Sequence, residues 1–279
     1  MGGRTWLITG VSTGLGRALA EEVLARGAAV IGTVRNADDQ ARFEALAPGR
    51  AIGALVDVTD RDAVRTVLPA AIDARGGVDV VVNNAGYALT GAFEAVSDAE
   101  FAHQMDTNFS GAAWVIGASL AGLRQRGGGR IINVTSQSGV IGYPGLSLYS
   151  ASKFALEGLS ESLRAELAPF GIHVTIVEPG GFRTDWAGRS LVRTSDARPE
   201  YAESTERAAR GYARMHGHQP GDPARAARVL ADLAEADDPP LRLVLGSAAV
   251  AAITTALNAR IEEIERSTDV SCSTDAVAP

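Results

Sequence analysis

Tyr149 and Lys153 stand four residues apart in the segment Tyr149-Ser150-Ala151-Ser152-Lys153. On a helix, residues at that spacing share a face with Cβ atoms about 5–6 Å apart. The lysine ammonium can then reach the neighbourhood of the phenol. A free tyrosine ionises near pH 10, too high for efficient proton exchange at neutral pH. A positive charge at about 4 Å, at an effective dielectric near 20, contributes up to roughly 4 kcal/mol toward the phenolate. That corresponds to about three pKa units, before any offset from burial. The spacing therefore predicts a proton-transferring tyrosine whose acidity the lysine increases. Composition points the same way: of 26 basic residues Lys153 is the only lysine, and random placement would put it four residues after this tyrosine about one time in 26. A planar guanidinium would not replace a compact ammonium at such a place.

A second constellation is the run Thr9-Gly10-Val11-Ser12-Thr13-Gly14-Leu15-Gly16. Gly10 lets the chain reverse, Gly14 lets backbone approach a pyrophosphate, and Gly16 permits close helix–strand packing. The helix after this turn offers free N–H groups and the positive end of its dipole to phosphates. The spacing is G-x3-G-x-G rather than the general G-x-G-x-x-G fingerprint, so its weight comes from its position between a strand and a helix. Cofactor choice is decided at Thr33-Val34-Arg35-Asn36, where the second strand closes. An NAD-preferring site places an acid there to hold the ribose 2′-hydroxyl. None is present, and the guanidinium of Arg35 offers a fork of donors to a 2′-phosphate. NADP(H) is expected over NAD(H); the alternative is a solvent-facing arginine.

Both constellations need a scaffold. Apolar, β-branched runs at 4–9, 29–34, 51–57, 78–84, 129–136, 172–179 and 241–246 alternate with helical patterns at about 15–26, 60–74, 98–126, 150–169 and 223–235. Near-continuous apolar runs suit parallel strands buried on both faces. The alternation predicts an α/β fold, a Rossmann-type doubly wound parallel sheet of about seven strands with helices on both faces. A single dinucleotide-binding and catalytic domain is expected over residues 1–266, with a final helix near 247–266 and a polar C-terminal tail at 267–279. An insertion at about 181–222 leaves from the C-terminal end of a strand, where open α/β sheets bind ligands. Trp186, Leu191 and Tyr201 are costly apolar choices for a plain surface loop, so the insertion is expected to cover the substrate.

Bulk properties exclude several functions. A net charge of −7 without any basic run argues against nucleic acid as a partner. One cysteine, Cys272, allows neither an internal disulfide nor a cysteine-based metal site, which suits a reducing compartment. His103, His173, His216 and His218 offer no grouped ligand set, so no metal is expected. The opening MGGRTWLITG has no signal-peptide pattern. Met1-Gly2-Gly3 hints at myristoylation, but Trp6 stands where serine or threonine is wanted. No apolar run approaches the roughly 18 residues of a membrane span. A cytoplasmic protein without a membrane partner is the expectation.

Taken in order over about residues 5–185, these segments resemble the short-chain dehydrogenase/reductase family. Its T-G-x3-G-x-G turn is Thr9 to Gly16, its N-N-A-G segment is Asn83-Asn84-Ala85-Gly86, and its active-site asparagine is Asn108 in Asp106-Thr107-Asn108. Its serine, 13 residues before the tyrosine, is Ser136, and Y-x3-K is Tyr149 to Lys153. Its P-G turn is Pro179-Gly180, succeeded by Phe182 and by Thr184, the carboxamide-facing threonine. The resemblance implies that Tyr149 is the general acid in reduction and base in oxidation. It gives Lys153 the nicotinamide ribose as a second partner, Ser136 the substrate oxygen, and Asn108 a water in the proton relay. It places Asp57 and Val58 against the adenine, and Asn84, Ala85, Gly86, Pro179, Gly180, Phe182 and Tyr149 itself against other parts of the cofactor. Ser138 is an alternative hydroxyl at a less suitable spacing.

An NADP(H)-dependent oxidoreductase is therefore expected, interconverting a ketone or aldehyde and an alcohol by hydride transfer. Candidate walls for a small apolar carbonyl or alcohol substrate are Tyr87, Val140, Tyr143, Phe182 and Trp186. Alternatives are a 3-ketoacyl thioester reductase and a non-catalytic NADP(H)-sensing regulator. Helices at 98–126 and 150–169 carry apolar residues on more than one face, among them Ala112, Ala113, Leu156 and Leu163. With the family habit of association, they suggest a homodimer or homotetramer.

Overall fold

The computed structural model describes residues 3–276. Residues 1–2 and 277–279, the outer ends of the expected domain and tail, lie outside the described residues. Each of the seven apolar runs forms a strand of one parallel sheet: β1 Thr5–Ile8, β2 Ala29–Val34, β3 Ala51–Leu55, β4 Val80–Asn83, β6 Gly129–Val134, β7 Ile172–Pro179 and β9 Arg242–Leu245. Their order is β3-β2-β1-β4-β6-β7-β9, so the chain reverses direction across the sheet between β3 and β4. Two further strands, β5 Ala88–Thr90 and β8 Leu191–Arg193, make a separate two-stranded parallel ribbon.

Helices cover both faces: α1 Gly14–Ala25, α2 Ala37–Glu44, α3 Arg61–Asp73, α4 Asp98–Met105, α5 Gly111–Gln125, α6 Ser147–Leu167, α7 Arg207–Arg214, α8 Pro223–Glu235 and α9 Ser247–Cys272. Strand alternation divides the core. Trp6, Ile8, Val80 and Val82 pack with Leu19 and Val23 of α1 and Leu230 of α8. Leu7, Val81 and Ile131 pack on the other face with Leu68 of α3 and Val115 and Leu123 of α5. Burying one such side chain is worth about 1.5–3 kcal/mol.

Four details differ from the sequence expectation. Helices α2 and α7 stand outside the expected helical patterns; each has eight residues and buries a single apolar side chain, Phe43 and Ala209. The pattern at 98–126 is not one regular helix: a π-helical turn at Asp106–Ser110 separates α4 from α5. The tail expected from residue 267 is helical through Cys272, because no glycine or proline interrupts the chain between Gly246 and Pro279. The insertion is not plain loop; it holds β8 and α7. Among the described residues no helix is long and apolar enough to cross a membrane, and no group of His, Cys, Asp or Glu could hold a metal.

Candidate active site

A cleft of about 740 Å³ runs over the C-terminal ends of the strands, from Arg35 and Asp57 at one end to Ser136, Tyr149 and Trp186 at the other. Ser12, Thr13, Gly14, Leu15, Val58, Ala85, Pro179, Gly180 and Thr184 line it between these limits. A volume of this order suits a bound organic molecule. Gly16, Asn108 and Val140 do not line it.

The glycine-rich turn is fixed from beneath. Gly10 and Gly14 have φ of 72° and 64°, backbone that side chains with a Cβ rarely adopt. Thr9 Oγ1 accepts from the N–H groups of Asn84 and Ala85, both at 2.9 Å. Asn84 Nδ2 donates to the carbonyls of Thr9 at 2.9 Å and Gly10 at 3.2 Å. Asn84 thus ties the end of β4 to the turn. Gly16 is a packing glycine, since a Cβ there would lie 2.3 Å from Asn84 Nδ2 and 2.5 Å from the Gly10 carbonyl.

The first turn of α1 faces the cleft without a side-chain cap, whereas α2, α3, α4 and α8 are capped by Asn36, Asp60, Ser97 and Asp222. Free N–H groups and a positive dipole end make such a turn an anion site. Arg35 lies exposed at the cleft's far end, just before the Asn36 cap. Asp57 accepts from the N–H and hydroxyl of Thr59 at 2.9 and 2.8 Å, shaping the turn after β3. An uncapped helix start, close-approach glycines and a long cleft together fit a nicotinamide dinucleotide.

At the other end, α6 begins two residues before Tyr149, so Tyr149 and Lys153 occupy its first two turns, both buried. Lys153 Nζ donates to the Val134 carbonyl at 2.9 Å and lies 5.9 Å from the centre of the Tyr149 ring. Trp186, from the insertion, meets that ring at 5.9 Å between centroids. Ser136 Oγ accepts from the Ser138 N–H at 3.0 Å, and both serines line the cleft. Asn108, in the π-helical turn, is buried below the cleft. Its amide pairs with the Tyr87 backbone, Oδ1 accepting at 3.1 Å and Nδ2 donating at 2.9 Å, and Nδ2 also donates to Ser152 Oγ at 3.0 Å. The π turn aims this amide inward, a frequent use of that irregularity.

Electrostatics reverse one expectation. Burial pushes the Tyr149 hydroxyl above its ordinary value, with Ser136 and Trp186 opposing. Burial pulls Lys153 down to about 8, with Glu157 opposing. In a dry pocket each charged form loses its hydration, and this outweighs the attraction expected between them. Glu157, one turn further along α6, is raised to about 7, chiefly by burial, with Glu178 adding and Arg242 opposing. Arg242 Nε stands 3.5 Å from Glu157 and 3.3 Å from Glu178. Burial also raises Tyr87, to about 12.

Apart from Asn83, which opens the N-N-A-G segment, several supports had no sequence signal. Asn83 Nδ2 donates to Asn133 Oδ1, and Asn133 Nδ2 to Ser160 Oγ, both at 2.8 Å, joining β4, β6 and α6. Gln104 is fully buried, accepting from the Leu89 N–H at 2.7 Å and donating to the Tyr87 carbonyl at 3.0 Å. His103 stacks on Tyr87 at 5.2 Å. Tyr87, Tyr143, Phe182 and Trp186 line the cleft, joined by Tyr212 and Met215 from the insertion.

Residues 4–193 match the family described as short chain dehydrogenase. The oxidoreductase BOA17 of Botryotinia fuckeliana is 38% identical over 248 residues, covering 88% of this chain and 90% of that protein. The 3-ketodihydrosphingosine reductase of Bacteroides thetaiotaomicron is 38% identical over 199 residues, 71% of each chain. A solved short-chain dehydrogenase from Streptomyces avermitilis is 40% identical, covers 98% of this chain and 100% of its own, and superposes with a TM-score of 0.90.

Proposed function

The chain belongs to the short-chain dehydrogenase family, and from that premise we propose that it is an NADP(H)-dependent oxidoreductase interconverting a ketone or aldehyde with its alcohol. The observation that carries the reading is Tyr149, buried at the end of the cleft opposite Arg35, with Lys153 one turn further along α6 and Ser136 facing its hydroxyl. The dinucleotide, when bound, supplies or accepts the hydride. The α1 N-terminus and its glycines hold the phosphates, and Arg35 takes the 2′-phosphate, which makes NAD(H) the poorer cofactor. Tyr149 gives its proton to the substrate oxygen in reduction and recovers it in oxidation. Ser136 donates to the same oxygen. Lys153, protonated below about pH 8, supplies the charge that offsets the burial of a forming phenolate.

Asn108 keeps the Tyr87 backbone and α6 at a fixed distance and holds a water for the proton relay. The insertion at 181–222 covers the substrate, and the aromatic walls select small apolar carbonyl compounds or alcohols. A cytoplasmic homodimer or homotetramer completes the proposal. Within it, Ala112 and Leu156 are buried in the chain's own core, so association falls to outward residues such as Phe154. The test is turnover on a panel of ketones and alcohols with NADPH and NADH. We expect NADPH-dependent reduction, and a loss of about 10²- to 10⁴-fold in kcat for Tyr149→Phe, the usual share of an acid–base group. NADPH binding should fall far less than turnover in that variant. Undiminished turnover by Tyr149→Phe would refute the assignment, and NADPH binding without turnover of any substrate would favour a sensor.

A further inference from the structure

Arg189 lies in the insertion, two residues beyond the threonine-capped turn Asp185–Ala187, and lines the cleft. Its Nη2 donates to Thr13 Oγ1 at 2.6 Å. Thr13 is the N-cap residue of α1, yet its side chain accepts nothing from its own helix. The insertion has instead brought a guanidinium to the positive end of a helix dipole. A cation is unfavourable there, since helix N-termini attract anions. Of the other insertion arginines, Arg193 pairs with Glu206 and Arg198 with Glu94 and Asp196. Arg183, Arg207, Arg210 and Arg214, none of which meets the start of α1, form no salt bridge among the described residues. The charge of Arg189 acts on Asp39, whose own closest cation is Arg42. Arg189 forms no salt bridge among the described residues. A cation in the wrong place for the helix, hydrogen-bonded only to a hydroxyl, is arranged for an anion seated between it and the first turn of α1.

We infer that Arg189 is a phosphate clamp, through which the insertion grips the bridging diphosphate of the dinucleotide against the α1 N-terminus. This rests on the cofactor reading above and adds a binding residue to it. The diphosphate is favoured over the 2′-phosphate because Arg189 meets Thr13, at the helix start, whereas Arg35 stands at the end of β2. The clamp has a second effect. The Ala88 N–H donates to the Ser190 carbonyl at 2.8 Å, and β8 pairs with β5 from Leu191 onward. Trp186, which faces Tyr149, lies three residues before Arg189. Fixing Arg189 on the cofactor therefore orders the segment that walls the substrate end.

The experiment titrates NADPH and NADH into the wild-type protein, Arg189→Gln and Arg35→Ala, tracked by nucleotide fluorescence. Arg189 is exposed, so the Arg189→Gln chain should fold with an unchanged melting temperature. It should lose about 10-fold or more in affinity for both cofactors, the scale of a charge-assisted bond. Arg35→Ala should lose affinity for NADPH alone. Trypsin supplies a second readout: NADPH should protect the insertion from cleavage after Arg193 and Arg207 in the wild type, and saturating NADPH should fail to protect it in Arg189→Gln. Loss for NADPH only in Arg189→Gln would move the residue to the 2′-phosphate and overturn the clamp. Unchanged affinity for both cofactors would also overturn it. A wild-type protein that binds neither nucleotide would instead refute the cofactor reading beneath it.

Discussion

The ends of the sheet strands and the insertion at 181–222 face each other across one cleft and are built differently. At the strand ends, polar side chains are fixed on backbone or on one another inside the protein. Thr9, Asn84, Asn108 and Asn133 all hold partners within 3.2 Å. The insertion is held by a three-residue ribbon and by exposed contacts: Tyr201 on Glu94, Ser195 on Glu100, Tyr212 on Pro144 and Arg189 on Thr13. Solvent-exposed bonds and sparse burial mark a region of low local stability. On the reading proposed above, reaction type belongs to the stiff side and substrate choice to the yielding one, so the two can change separately.

Lys153→Arg tests the stiff side most severely. A bulkier planar head cannot keep both the Val134 carbonyl and the neighbourhood of the phenol, and turnover should fall by about 10²-fold or more. Tyr149 already sits above its ordinary value, and displacing its nearest cation raises it further. The alkaline limb of the pH–rate profile should move upward. Near-normal turnover would show the stiff side to be as forgiving as the insertion.

Next in size, Arg35→Ala should weaken NADPH by roughly 10- to 150-fold and leave NADH alone; equal losses would remove Arg35 from the 2′-phosphate. On the yielding side, Trp186→Ala should lower kcat/KM for bulky apolar ketones by about 10-fold, mainly through KM, with little change in melting temperature. A large drop in melting temperature would make the insertion part of the rigid core.

The smallest effect is on stability. Glu157 lies at about 7 in the fold against an ordinary 4.5, so the folded chain binds its proton more tightly than the unfolded chain. That contribution is full below about pH 4.5 and is lost as pH rises through about 7. Glu157→Gln should therefore melt a few degrees above the wild type at about pH 9 and close to it at about pH 5. A lower melting temperature at the alkaline end would mean that the contact with Arg242 outweighs the cost of burial.

Legibility in the sequence divides along the same line. All seven sheet strands are visible in it, the central ones because strands buried on both faces must be apolar throughout, and the edge strands β3 and β9, which are partly exposed, by their short aliphatic runs. The spacing of Tyr149 and Lys153 foretells their shared helix, since that periodicity is local. What the spacing cannot carry is depth: burial, a property of everything packed around α6, turns the expected lowering of the tyrosine into a raising. Asn84 lines the cleft, and its second task of tying the Thr9 and Gly10 carbonyls to the end of β4 is invisible until β4 is in place. Helices α2 and α7 have eight residues and one buried side chain each, too short a pattern to stand out. The β5–β8 ribbon pairs residues about a hundred apart. Gln104 and Arg189 act through partners that only the fold brings near.

The buried lysine at the cleft floor has a practical side, because no other lysine exists in the chain. Isotopically labelled lysine would yield a single ammonium signal, already assigned by composition. Monitored against pH, that signal would titrate near 8 in the free protein and shift as nucleotide or substrate enters. Amine-selective reagents would likewise have one side chain to find, walled in beside Tyr149, and their rate of attack would time the opening of the cleft. The site thus carries its own spectroscopic and chemical probe without any residue being added.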